Sequence, residues 1–237
     1  LVAVPTAKYD VYREADVIEE VLRIYGYNNI EIGREQNFTF GNTPNPDPEL
    51  IRKTIGDYLC SNGYIEIMNN SLCSEDLSNL CESIDPALNV KMMNPLSKEL
   101  NIMRRDLLFG GLQSIIHNIN RTAKDLLLFE FGTIYTYNVG ATPEQNVRKK
   151  FNEDHRLALF MTGNIRTESW YAEKRESSFF DLKAEVIRLL NRVGIDMNKR
   201  VEEEIEGRFG RTLSIKVDKL EVAQITIVPN KLLDYYG

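Results

Sequence analysis

Between residues 14 and 25, apolar side chains return at intervals of three and four. Val17, Ile18, Val21, Leu22, Ile24 and Tyr25 fall on one side of a helical wheel. Asp16, Glu19 and Glu20 fall within an arc of about 100° on the other. The spacing predicts an amphipathic helix of about three turns. Gly26 ends it, because a residue without a side chain takes the left-handed C-terminal position cheaply. Asp10 precedes the helix, in an extended segment.

The pattern then breaks. "NIEIGREQNFTFGNTPNPDPEL" places Pro44, Pro46 and Pro48 within five residues, a spacing that favours extended backbone and sustains neither a helix nor a central strand. This divides the chain into residues 1–36, a linker over 37–48 and a larger unit over 49–237. Helical spacing resumes at 48–62, with Leu50, Ile51, Ile55, Tyr58 and Leu59 on one face and Gly63 as the stop. "YIEIMNNSL", 64–72, predicts a strand, and "SEDLSNLCESI", 74–84, a short helix capped by Ser74. "NVKMMNPLS", 89–97, predicts a strand broken at Pro95. "RDLLFGGLQSIIHNINR", 105–121, predicts a helix with Leu108, Leu112, Ile115, Ile116 and Ile119 inward. Its Gly110–Gly111 pair suits close packing better than phosphate binding.

β-Rich runs follow at 126–137 and 155–164, then a helix over 177–194 with Ser178 as its cap and Gly194 as its stop. Three strands at 200–207, 211–217 and 221–228 lead into a last helix at 229–237. Strands that succeed one another without regular helical crossovers predict an α+β fold, an antiparallel sheet flanked by helices.

Composition narrows the function classes. The chain has 237 residues, 43% of them hydrophobic, enough for a sizeable core. A formal charge of −6 excludes a globally basic surface for nucleic acid. Cys60, Cys73 and Cys81 lack CxxC spacing and read as reduced thiols. No apolar run reaches membrane-spanning length and no signal-peptide pattern opens the chain, so a soluble, cytoplasmic protein without a membrane partner is expected. The first residue, Leu1, and an end directly after a helical pattern suggest a piece of a longer polypeptide. There is no GxxxxGK[ST], GxGxxG or GxSxG motif. His117 and His155 are far apart and neither has a partner at metal-ligand spacing.

The carboxylates Asp10, Asp16, Glu19 and Glu20 leave two readings open. Arg23, three and four positions beyond Glu20 and Glu19, suits ordinary surface ion pairs on a solvated face. Four like charges so close together also repel, and a hard divalent cation with oxygen ligands would relieve that.

Four segments, "YDVYREADVIEEVLRIYGYNNI", "NPLSKELNIMRRDLLFGGL", "LLLFEFGTIY" and "SSFFDLKAEV", together resemble the β subunits of bacterial phenylalanine–tRNA ligases, in the family's order. The resemblance covers residues 1 to about 194 and is looser beyond. It implies that the first 35 or so residues are the end of a small domain, followed by a catalytic-like module with the fold of class II aminoacyl-tRNA synthetases. In that family an α₂β₂ heterotetramer attaches phenylalanine to tRNA(Phe). The α subunit carries the active site and uses ATP. The positions matching Asp10, Asp16, Glu19 and Glu20 are those implied to bind Mg²⁺ together with the α subunit.

A class II site needs one arginine on a strand, in an aromatic–Arg–x–Glu context, for the ATP α-phosphate. It needs a second, in a Gly-rich Glu–Arg motif, for the γ-phosphate. The strand expected to carry the first reads "LLLFEFGTIY", with Glu130 and no arginine. Arg166–Thr167–Glu168 comes too late and follows Ile165, and the dipeptide Glu-Arg is absent. "GRFGR", 207–211, has no glutamate before either arginine. The chain alone is therefore expected to be inactive, as a subunit module of an aminoacyl-tRNA ligase. The competing expectations are a class II-type ATP-dependent ligase working alone and a free-standing carboxylate metal-binding module.

Overall fold

A computed structural model of the chain describes residues 3–31, 46–80, 85–140, 150–166 and 169–236. The backbone divides into two compact units, Leu1–Asn45 and Pro46–Gly237. Of the linker expected over 37–48, residues 37–45 lie outside the described residues.

In the first unit the periodic stretch forms α1, Glu14–Tyr25, followed by a single 3₁₀ turn at Tyr27–Asn29. Asp16 folds back over the helix start, where its Oδ2 accepts the N–H groups of Tyr12 at 2.9 Å and Arg13 at 2.8 Å. Two amides at the helix entry thereby gain a charged acceptor. Gly26 ends α1 at φ +93° and ψ 119°. The positive φ is as expected, but this ψ lies outside the left-handed helical region. Its N–H still closes the last turn on the Leu22 carbonyl at 2.7 Å. No residue of α1 is buried.

In the second unit α2 runs Pro48–Ser61. Pro48 sits in the first turn, where its missing N–H costs nothing, and Asp47 Oδ1 accepts the Glu49 N–H at 3.0 Å. Leu59 is fully buried, and Ile55 and Tyr58 pack beside it against Tyr64, Phe129 and Leu189. Leu50 and Ile51, expected on the same inward face, are exposed. They lie in the first turn of α2, and contact with the sheet begins at Arg52, whose guanidinium lies 4.9 Å from the centre of the Phe131 ring.

β1, Ile65–Glu66, runs parallel to β4, Leu126–Tyr137, and β4 pairs antiparallel with β5, Phe151–Thr162, from Leu126↔Thr162 to Tyr137↔Phe151. The parallel pair is an addition to the antiparallel expectation. The strand expected over 64–72 is reduced to β1 and to β2, Leu72–Cys73, which pairs with β3, Ile102–Met103. It breaks because Asn69 gives both its backbone N–H and its side-chain amide to the Glu130 carboxylate instead of to a neighbouring strand. The strand expected over 89–97 is only an isolated bridge, Lys91↔Ile102. α3, Glu75–Asn79, has its Asp76 N–H capped by Ser74 Oγ, and residues 81–84 of the helix expected there lie outside the described residues.

α4, Leu108–Ile119, is capped from Asp106, whose Oδ1 accepts the Leu108 and Phe109 N–H groups. Phe109, Gly111 and Leu112 are its buried residues, whereas Ile116 and Ile119 are half-buried. The glycine pair works as a packing device. A Cβ on Gly111 would lie 2.1 Å from the Phe160 ring, and one on Gly110 would lie 2.9 Å from Asn69 Cβ. The helix axis thus approaches the sheet more closely than any side chain would allow.

A hairpin of β6, Asn164–Arg166, and β7, Arg175–Glu176, leads to α5, Phe179–Arg192. Ser178 and Asp181 form a capping box at its start, and Gly194 follows it at φ +87°. β8, Arg200–Gly207, β9, Gly210–Val217, and β10, Leu220–Thr226, form an antiparallel sheet in the order β10-β9-β8. Phe179, Leu182, Val186 and Leu190 of α5 pack on its apolar centre at Ile215 and Ile225. α6, Asn230–Tyr236, returns Leu232 to Phe109 and Leu77. Among the described residues no helix is long and apolar enough to cross a membrane.

Candidate functional site

Of the four carboxylates singled out by the sequence, all in the first unit, Asp10 and Glu19 are exposed and Asp16 and Glu20 are half-buried. Asp16 is committed to the helix start, and the Tyr12 and Arg13 amides hold its carboxyl below the ordinary carboxylate value. Glu20 accepts from Lys8 Nζ at 3.3 Å and from Arg23 Nη1 at 3.2 Å, one cation on each oxygen. The Arg23 pair follows from the i,i+3 spacing, and the Lys8 pair comes from a residue twelve positions earlier. Among the described residues no three His, Cys, Asp or Glu side chains stand together in a way that could hold a metal ion. Among the described residues Asp10, Asp16, Glu19 and Glu20 are thus not gathered into one cluster of potential ligands.

The second candidate is the strand where a class II site would need its first arginine. Glu130, at the middle of β4, is 1% exposed. A carboxylate so deep is tolerated only when it is paired and hydrogen-bonded. Arg104 Nη1 donates to Glu130 Oε1 at 2.6 Å, while the Asn69 N–H donates to the same oxygen and Asn69 Nδ2 to Oε2 at 2.8 Å. Arg104 also gives Nε to the Thr133 carbonyl at 2.9 Å, and Ser114 Oγ donates to Asn69 Oδ1 at 2.8 Å. Gly132 leaves room for the guanidinium, since a Cβ there would lie 2.4 Å from Arg104 Nη2.

The network joins the segment after β1, the lead-in to α4, α4 itself and β4. It places a spoken-for carboxylate on the strand where an ATP-binding site would place a free guanidinium. The Glu130 carboxylate is already neutralised by Arg104, and the arrangement holds the four segments together.

The other arginine candidates lie elsewhere in the fold. Arg166 ends β6, and residues 167–168 lie outside the described residues. "GRFGR" spans the β8–β9 turn and is followed by a strand, not a helix. Arg208 donates to the Arg105 carbonyl at 2.8 Å, and Arg211 pairs with Glu204. Sequence reasoning passed over Arg104, Asn69 and Ser114. The only signal was Arg104–Arg105–Asp106, three charges in a row leading into an apolar helix.

With this geometry in place, solved structures identify the architecture. A pyrrolysyl tRNA synthetase from Desulfitobacterium hafniense aligns with a TM-score of 0.57 at 16% sequence identity, covering 81% of this chain and 60% of that one. A second structure of that synthetase aligns with a TM-score of 0.51 over 74% of this chain and 57% of that one, also at 16% identity. The fold is of the class II aminoacyl-tRNA synthetase type.

Within that class the sequence is more specific. Residues 37–237 match the family described as "Phenylalanyl tRNA synthetase beta chain CLM domain", residues 1–27 match "tRNA synthetase B5 domain", and the chain belongs to the former family. It is 37% identical over 234 residues to the phenylalanine–tRNA ligase β subunit of Bacteroides thetaiotaomicron, covering 98% of this chain and 28% of that protein. It is 30% identical over 236 residues to the β subunit of Thermotoga maritima, covering 99% of this chain and 28% of that protein. The chain thus spans little more than a quarter of the curated relatives it matches.

Proposed function

We propose that this chain is a non-catalytic core module of a phenylalanine–tRNA ligase β subunit. In this reading it supports ATP-dependent attachment of phenylalanine to tRNA(Phe) by packing against a catalytic α subunit, in a cytoplasmic α₂β₂ enzyme. The observation that carries the reading is the Arg104–Glu130 pair, which places a buried, neutralised carboxylate on the strand where ATP binding would require a free cation. The similarity to phenylalanine–tRNA ligase β subunits supports the subunit assignment. Leu50 and Ile51, exposed at the start of α2, are candidates for the contact with the α subunit.

The decisive experiment is phenylalanine-dependent exchange between ATP and pyrophosphate on the purified chain, free of α subunit. No exchange is expected. Each missing phosphate clamp is worth about 2.7–4 kcal/mol of transition-state stabilisation. A robust signal that depends on phenylalanine refutes the reading. Charged replacements at Leu50 and Ile51 should abolish co-purification with the α subunit without unfolding the chain.

The reading extends to the metal. Asp10, Asp16, Glu19 and Glu20 would take part in a Mg²⁺ site only with ligands supplied by the α subunit. Support for this is limited to the family resemblance and to the place of all four on one unit, none of them buried. Replacing Glu19 and Glu20 by Gln should weaken Mg²⁺-dependent assembly and leave the fold intact. Assembly equal to wild type across a Mg²⁺ titration removes these residues from the site.

A further inference from the structure

The β6–β7 hairpin turns on residues 169–172, where the Ser169 N–H donates to the Ala172 carbonyl at 3.0 Å and the Ala172 N–H donates back at 3.3 Å. The two residues at its tip are Trp170 and Tyr171, 96% and 75% exposed. Their rings touch edge to face with centroids 5.4 Å apart. A Trp side chain has about 150–250 Å² to bury, and this one buries almost none of it within the chain.

The turn itself gives no local reason for two aromatic residues. Two-residue hairpin loops favour positive φ at one or both central positions, because that backbone matches the twist of the strands. The β9–β10 hairpin follows the rule, with Asp218 and Lys219 at φ 49° and 70° between the paired Val217 and Leu220. Trp170 and Tyr171 are not among the residues with positive φ. The tip therefore combines the less favoured kind of loop with two large rings left in water. A departure from local rules with no compensating contact in the chain marks a surface that serves another molecule.

The mount is firm. Arg175 of β7 gives two guanidinium nitrogens to Asp181 at 2.8 Å each, and the Ser177 N–H donates to the Gly163 carbonyl at 2.9 Å. The strand then enters the capping box of α5, whose first turn carries Phe180, 72% exposed. An anchor held this way loses little freedom on docking.

Shape and charge select the occupant. Arg166 and Lys174 stand on the hairpin beside Glu173 and Glu176, all exposed, and the chain carries a net charge of −6. That mixture lacks the positive field a phosphate backbone requires. A second copy meeting this surface across a two-fold axis would set one convex tip against another, and neither would enclose the other's rings. A protein with a concave apolar pocket and a rim of mixed charge fits both features. We propose that the tip formed by Trp170 and Tyr171 is the anchor that enters such a pocket on the catalytic α subunit. The proposal rests on the reading above that an α subunit is the partner of this chain, and it adds a contact separate from Leu50 and Ile51.

Trp170 is the only tryptophan of the chain, so it reports on its own docking. The full 237-residue chain, labelled with fluorotryptophan, is titrated with unlabelled α subunit and followed by fluorine NMR, while sedimentation velocity records association independently. The single resonance is expected to move and to lose its solvent isotope shift as the complex forms. Trp170→Ala should weaken association by about thirtyfold or more without changing the melting temperature of the chain, and Trp170→Phe should recover part of the affinity. If the two proteins associate but the resonance stays in place, or if Trp170→Ala binds as tightly as wild type, the proposal is overturned and the subunit reading stands. If they do not associate at all, both fall. A resonance that moves with the concentration of the chain alone, or on addition of tRNA without α subunit, gives the tip to a second copy or to RNA and overturns the proposal.

Discussion

Arg104 and Glu130 meet at 2.6 Å with side chains 10% and 1% exposed, and every oxygen of the carboxylate has a partner. The pair connects the segment before α4 to the middle of β4, 26 residues later. Buried ion pairs are poor sources of net stability compared with well-packed apolar residues, but breaking one leaves a bare charge in the core. Its value here is specificity. The Glu130 carboxylate accepts only if Asn69, Arg104 and β4 come together in this one arrangement.

Truncation of either partner should therefore be severe. Glu130→Ala and Arg104→Ala are each expected to lose about 3–5 kcal/mol in urea unfolding. Glu130→Gln should lose less, because its amide oxygen still accepts from Asn69 or Arg104. A loss below about 1 kcal/mol in both alanine variants contradicts the tightly coupled network described above.

Gly111→Ala forces a methyl group into the Phe160 ring, since the nearest ring atom lies 2.1 Å from the position of the new Cβ. Overpacking of this kind costs about 1–3 kcal/mol. Phe160→Leu in the same chain should recover part of the loss, and calorimetric melting of the single and double variants measures the recovery. Strictly additive losses argue against direct contact.

Asp181 sets an acid limb. Its carboxylate takes both Arg175 guanidinium nitrogens at 2.8 Å and the Ser178 hydroxyl, and these hold it well below its ordinary value of 3.8. A carboxyl depressed in the folded state contributes its stabilisation fully above its unfolded value. That contribution is lost as pH falls from about 4 downward through the folded value. Asp181→Asn should flatten the stability profile below about pH 4 relative to wild type while lowering stability at neutral pH. Unfolding curves recorded from pH 2.5 to 7 test the sign.

The two described thiols should separate in reactivity. Burial, then the Asp106 charge, pushes the Cys73 thiol up to about 12, so almost none of it is thiolate at pH 8. Cys60 is exposed on α2. Iodoacetamide under native conditions should modify Cys60 well before Cys73, as read by peptide mass spectrometry. Equal rates mean that the β2 region opens readily.

The relation between the sequence and this molecule is uneven for physical reasons. Helices α1, α2, α4 and α5 were legible because their periodicity, caps and stops are local: Asp47 with Pro48, Ser178 with Asp181, and the positive-φ glycines at 63 and 194. The long strands β4 and β5 and the three-strand sheet were legible from runs of β-branched and aromatic residues. The missing phosphate clamps and the family were legible too, because they depend on which residue types occur in which order.

Only the tertiary structure decided that 64–72 is not one strand. That break depends on Asn69 turning to a carboxylate 61 residues away, and no local propensity encodes it. Likewise α2 carries one continuous apolar stripe in sequence, yet Leu59 is buried while Leu50 is exposed, because only part of the helix meets the sheet. The acidic stretch leaves ion pairs and metal both open in sequence, and only the fold brings Lys8 to Glu20 and turns Asp16 onto two amides. The sequence by itself determined the main helices, the long strands and the α+β class of the fold, all of which rest on composition and near-neighbour spacing. The polar pairings that lock the core required the whole chain, because a buried charge selects its partner by distance in space and not along the sequence.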